Sequence, residues 1–138
     1  MNYEALAKQL VRALRGKRSQ VFLSRRLGCR SNVLYSWESG RRWPTAAGFF
    51  QLARAVRVPV AEGLTAFLGG LPASLVGVSW SEPHASAELL QHLRGGTTIV
   101  ELAQRVGTHR VSVSRWLKGN AEPRLPDFLR LIDAASLR

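Results

Sequence analysis

The second half of this chain repeats the first. Residue n matches residue n + 79. Leu10, Leu14, Arg15 and Gly16 return as Leu89, Leu93, Arg94 and Gly95. Leu23, Arg26 and Gly28 return as Leu102, Arg105 and Gly107. Trp37, Gly40 and Pro44 return as Trp116, Gly119 and Pro123, and Phe49, Leu52 and Ala55 as Phe128, Leu131 and Ala134. The register holds from Leu10 to Ala55 without a gap. Composition alone would give roughly three to five coincidences over such a stretch, and the matches named here are more than twice that. They are mostly leucines, glycines, a tryptophan and a proline, the residue types that set cores and turns. The two halves are therefore predicted to share one small fold.

That fold reads as all-α. Leu6, Leu10 and Leu14 form one apolar stripe on a helix near 3–15, which Gly16 ends. Ser19 is placed to cap a second helix near 20–27, and Gly28 stops it. A third runs over about 31–39 with Leu34 and Trp37 inward, and Gly40 and Pro44 punctuate its end. Thr45 caps a fourth, through about Val56. Pro59 opens a short fifth carrying Leu64, Phe67 and Leu68. In the second half Ser81 is the expected cap of a helix from Glu82-Pro83 to Arg94. Thr98 and Glu101 have capping-box spacing before the next. The third and fourth are expected over 109–118 and 124–136. Residues 69–80, GGLPASLVGVSW, show no helical period. The expected layout is a first helix-turn-helix domain over 1–68, a connector over 69–80 and a second such domain over 81–138. Each domain has four to five helices. Leu75, Val76, Val78 and Trp80 make the connector too apolar for a free tether, so it is expected to pack against one or both units.

Charge narrows the partners. Twenty Lys+Arg against nine Asp+Glu leave a net charge of +11. Such an excess attracts polyanions, nucleic acid first. It is uneven: residues 1–55 carry +9 and residues 84–138 carry +3. No apolar run is long enough to span a membrane, and MNYEALAKQL has no signal core. Cys29 is the single cysteine, which fits a reducing cytoplasm. His84, His92 and His109 lack metal-ligand spacing, so no metal and no cofactor are expected. There is no phosphate loop, nucleophile triad or paired carboxylate constellation. The chain is read as not an enzyme.

The functional signal lies in Gln20 to Gly40, QVFLSRRLGCRSNVLYSWESG. A helix holds Leu23 and Leu27, a tight turn centres on Gly28, and a second helix is anchored by Leu34 and Trp37. Locking two helices in this way leaves the outward face of the second free to enter a major groove. This stretch resembles the lambda-repressor/Cro-like, or XRE, family of helix-turn-helix regulators. The matching features are Gln20, Leu23-Ser24, Leu27-Gly28, Leu34, Trp37-Glu38, Gly40 and Pro44, and the resemblance covers roughly 5–68. Over 84–138 the second half resembles the same family through Leu102-Ala103, Val106-Gly107, Val113, Trp116, Gly119 and Pro123. It departs at Ile99, where the first half has Gln20, and at Leu117, where it has Glu38.

The resemblance implies double-stranded DNA as the partner. It places Ser31, Asn32 and Ser36 at base-facing positions of the first recognition helix, with Asn32 suited to adenine. On the second, the matching positions are Arg110, Val111 and Arg115. The arginines suit guanine and Val111 a thymine methyl. Gln20 would hold a phosphate, which Ile99 cannot. Arg30 sits at the turn, suited to a phosphate or a guanine. Lys17, Arg18, Arg41 and Arg42, with Lys118 and Asn120, would flank the groove and hold the backbone. In the family a first-helix arginine often pairs with Glu38; the aligned position here is Ala13.

The remaining residues have bland readings. Trp37 and Trp116 are expected in the core rather than as base-stacking platforms. Trp43 is expected to be exposed in its turn. Tyr35 faces outward, toward DNA, solvent or another subunit. Cys29 is expected as a half-buried filler rather than a redox sensor. Arg25 and Arg26 are a solvated face or phosphate contacts, although the return of Arg26 as Arg105 argues for a structural role. The expected function is a cytoplasmic, nucleoid-associated transcriptional regulator. Typical family members pair as homodimers, and that remains open here. One rival has the first unit alone reading DNA. Another is a protein-interaction module with a protein partner, as in antitoxins.

Overall fold

A computed structural model of the chain describes residues 2–60, 62, 75 and 77–136. Among them lie eight complete helices and no strand, so the fold is all-α. They are α1 (Tyr3–Arg15), α2 (Gln20–Arg26), α3 (Val33–Ser39), α4 (Ala46–Ala55), α5 (Pro83–Arg94), α6 (Ile99–Val106), α7 (Arg110–Lys118) and α8 (Leu125–Ser136). The helix expected to carry Leu64, Phe67 and Leu68, and Val76 of the connector, lie outside the described residues.

Each start has a local cause. Asn2 caps α1 by accepting the Ala5 N–H at 3.0 Å. Ser19 accepts the Phe22 N–H at 3.2 Å at the head of α2, and Thr98 accepts that of Glu101 at 3.1 Å at the head of α6. Thr45 does the same for Gly48 at the head of α4. Ser81 is not a cap. Pro83 occupies the first turn of α5 and holds Glu82 extended, so Glu82 is the boundary residue and contributes no side-chain bond. Helices α3 and α7 both end on a left-handed glycine, Gly40 at φ 80° and Gly119 at φ 77°. The positive φ is what selects glycine there, since the nearest atom to a β-carbon on Gly40, Lys8 Cε at 2.7 Å, is the movable end of a flexible side chain.

Residues 79 positions apart are buried alike in the core. Val11, Leu23, Leu34 and Leu52 are buried, and so are Leu90, Leu102, Val113 and Leu131 at the matching positions. All belong to one contiguous core that runs through both halves. Helix α1 packs on α8, α4 packs on α5, and α4 meets α8. Phe50 lies edge-on to Phe128 with ring centroids 5.7 Å apart, and Trp80 covers Phe50 at 5.7 Å. Leu75 and Trp80 are buried, so these apolar residues of the connector are consumed in packing.

Backbone bonds join the halves as well. Thr45 and Arg124 form an isolated antiparallel bridge. Around it, the Ala46 N–H donates to the Pro123 carbonyl at 3.1 Å, and the Leu125 N–H donates to that of Pro44 at 2.8 Å. Tyr3 hydrogen-bonds Asp133, and the Arg130 guanidinium lies over the Tyr3 ring. The bond to Asp133 and burial hold the Tyr3 hydroxyl above its ordinary pKa. Its contribution to stability is therefore present at neutral pH and lost only as pH rises through that raised value. Among the described residues no helix is long and apolar enough to cross a membrane.

Candidate nucleic-acid interface

Helices α2 and α3 are in contact, as are α6 and α7. In each pair the inward residues of the second helix are fixed. Leu34, Trp37 and Glu38 are buried in α3, and Val113 and Leu117 in α7. Trp116 is half-buried against the core. What is left outward is polar, cationic or aromatic, with Val111 the aliphatic exception. Tyr35 is 50% exposed and Val111 63%. Arg110, Arg115, Lys118 and Asn120 are exposed in the second half, and Lys17, Arg30, Ser31, Arg41 and Arg42 in the first. Ser36 is half-buried.

Two expected positions need correction. Helix α3 starts at Val33, so Ser31 and Asn32 precede it. Asn32 is its cap, and Asn32 Oδ1 accepts the Tyr35 N–H at 3.1 Å. Asn32 Oδ1 also accepts from Ser24 Oγ, and Asn32 Nδ2 donates to Gln20 Oε1, both at 3.3 Å. Its carboxamide is thus engaged at both ends, whereas bidentate pairing with adenine needs both ends free. Gln20 is likewise partly engaged, through its carbonyl, with its amide group left to donate. Arg18, next to Lys17, is exposed. It shares a cleft with Phe22, Leu23, Arg26, Val56 and Arg57. Phe22 and Arg26 are one turn apart on the side of α2 opposite Gln20 and Ser24, which face α3.

The Ser24 hydroxyl, buried, also accepts the Leu34 N–H at 3.2 Å. Gln20, Ser24 and Asn32 thus form one polar linkage between the two helices. Their counterparts are Ile99, Ala103 and Val111, apolar at all three positions. Without a capping asparagine, α7 begins at Arg110, two positions earlier than α3 does in the repeat. We expect Asn32→Ala to lower stability by about 1–2 kcal/mol, the usual cost of removing such a cap. Urea titration measures it, and a variant as stable as the parent would show the cap to be idle.

Two features escaped the sequence reading. Glu38 does have an arginine partner. Arg15 donates to both its carboxylate oxygens, Nε to Oε2 at 2.8 Å and Nη2 to Oε1 at 2.9 Å. This pairing raises the Arg15 pKa above its ordinary value. Arg12 approaches at 3.6 Å and also donates to the Glu38 carbonyl at 3.4 Å. In the second half Gln91, which matches Arg12, donates to the Leu117 carbonyl at 3.0 Å. Trp43 is half-buried against the core rather than exposed. Cys29 is half-buried, as expected of a filler. Arg105 donates to the Ala134 carbonyl at 3.4 Å, a structural contact near the end of α8.

Comparison with known families gives one result. A family model described as Helix-turn-helix, of the XRE kind, matches residues 88–135. That span runs from within α5 to the end of α8 and includes α6, the turn at Gly107 and α7. The family is one of DNA-binding regulatory domains. No curated protein and no solved structure matches the chain.

Proposed function

We propose that this chain is a sequence-specific regulator that binds duplex DNA through two helix-turn-helix pairs, α2–α3 and α6–α7. The observation that carries the reading is the division of α7 inside the family match. Val113 and Leu117 are buried while Arg110, Val111 and Arg115 stand outward. That face carries the donors to grip guanine O6 and N7 in a major groove. On the first pair Ser31, Ser36 and Tyr35 are the side chains that would meet bases, and Asn32 fixes where α3, which carries Tyr35 and Ser36, begins. Lys17, Gln20, Arg30, Arg41, Arg42, Lys118 and Asn120 would hold phosphates.

Selection from a random duplex library tests this, followed by affinities at several salt concentrations. A winner preferred by about a thousandfold over a scrambled duplex is the expected result. Equal binding to every duplex, vanishing with salt, would leave only charge attraction. Arg110→Ala and Arg115→Ala are each expected to weaken the winning site by about 1–3 kcal/mol and to relax preference at one base pair. The apolar replacement of Gln20, Ser24 and Asn32 by Ile99, Ala103 and Val111 favours a second reading, in which the first pair alone contacts DNA. Undiminished binding by both arginine variants would select it.

A further inference from the structure

Two units in one chain can be arranged head to tail, as in repeat proteins, or about a two-fold axis, as in dimers. The first arrangement presents two recognition helices in the same direction and reads a direct repeat. The second presents them in opposite directions and reads an inverted one. Sequence similarity does not distinguish them, but the contacts between the halves do.

Those contacts are reciprocal. Exchanging each residue for its counterpart 79 positions away turns the bond from Ala46 N–H to Pro123 carbonyl into that from Leu125 N–H to Pro44 carbonyl, and both exist. The Thr45–Arg124 bridge maps onto itself. Packing of α1 on α8 maps onto packing of α5 on α4, and both occur, while the contact of α4 with α8 maps onto itself. A head-to-tail contact joins two different surfaces and has no such return partner. We infer that the two halves are related by an internal two-fold axis passing between Thr45 and Arg124, and that the chain therefore reads two inverted half-sites as a single molecule.

This rests on the DNA-binding reading above and goes beyond it by fixing the order of the half-sites. Chain reach supports it. The pair at the bridge is flanked by its hydrogen bonds, a geometry that sets the two α-carbons about 4.5 Å apart. Arg41 lies four residues from Thr45, and Asn120 four from Arg124. Extended chain covers at most about 14 Å over four residues. Both recognition helices thus end near the axis, with their starts free to point away from it. Successive major grooves on one face of B-DNA are about 34 Å apart. The half-sites are inverted in direction but unlike in composition, since Arg110, Val111 and Arg115 stand where the first half has Ser31, Asn32 and Ser36.

Directed cleavage reads this order. In a Cys29→Ser background, Arg30→Cys, Arg41→Cys, His109→Cys and Asn120→Cys each place one thiol at an exposed position at a recognition-helix end. Each variant is loaded with an iron chelate and bound to the duplex that the unmodified chain selects. Cleavage in the order 30, 41, 120, 109 along the duplex is the expected result, with 41 and 120 innermost. The order 30, 41, 109, 120 would overturn the two-fold reading in favour of a direct repeat. Cuts from 30 and 41 alone would also overturn it while leaving DNA recognition by the first pair intact. If the unmodified chain selects no duplex at all, the functional reading fails and the inference with it. As a second measurement, Arg110→Ser, Ser114→Tyr and Arg115→Ser together give the second half the outward residues Ser31, Tyr35 and Ser36 of the first. We expect that triple variant to prefer two like half-sites head to head over the same pair head to tail by about tenfold or more. The opposite preference overturns the inference.

Discussion

Arg15→Met is expected to destabilise the protein by about 2–4 kcal/mol. The Glu38 carboxylate is 5% exposed, and Arg15 satisfies both of its oxygens. Removing one partner of a buried ion pair costs about 3–5 kcal/mol because a charge is left without compensation. Arg12, at 3.6 Å but mostly solvated, recovers part of that. For a chain of this size the melting temperature should fall by about 5–15 °C. The repeat supplies the control. Leu117 occupies the position of Glu38 in the second half and is buried there without an ion pair. Arg15→Met combined with Glu38→Leu should therefore recover most of the loss, since apolar replacement of a whole buried pair is often neutral. Thermal melts of the two single variants and the double variant complete the cycle. If the double variant is as unstable as the sum of the singles, the pair does not act as a unit.

Phe128→Ala should cost about 3–5 kcal/mol, the range for deleting a buried aromatic ring. Its ring is 3% exposed and meets Phe50 edge-on across the junction between the halves. The informative part is where the loss is felt. Since the buried residues of both halves form one core, opening the junction should loosen α3 and α7 together. Hydrogen exchange at the amides of Leu34 and Val113, one from each half, should accelerate by a similar factor. Acceleration at Val113 alone would mean that the halves unfold separately.

The helices and their inward residues were legible in the sequence because apolar spacing, glycine and proline report directly on local structure. Leu34, Trp37, Val113 and the stops at Gly40 and Gly119 needed no tertiary information. Asn32 was legible as a polar residue in the right place but not in its role. Asparagine serves equally as a base reader and as a helix cap, and only the placement of Gln20, Ser24 and Tyr35 around it decides. The partner of Glu38 was missed because alignment pointed to Ala13, while the long side chain of Arg15 reaches the same carboxylate from two residues further on. The Thr45–Arg124 bridge had no side-chain signature at all. Its bonds use only backbone groups, and although Pro44 and Pro123 match, prolines at these positions report a turn and not a pairing between the halves.

The reciprocal junction has a consequence for dose. A protein that must pair with a second copy before it can bind loses its operator occupancy steeply on dilution, as the square of its concentration, once the pair dissociates. Here the two surfaces are tethered and cannot separate by dilution. Under the proposed function, occupancy should then rise with the first power of chain concentration, so that a few molecules per cell would act as efficiently, one for one, as many. Under the proposed function each half is also free to change its preferred bases without the other following, a freedom that two copies of one gene product do not have.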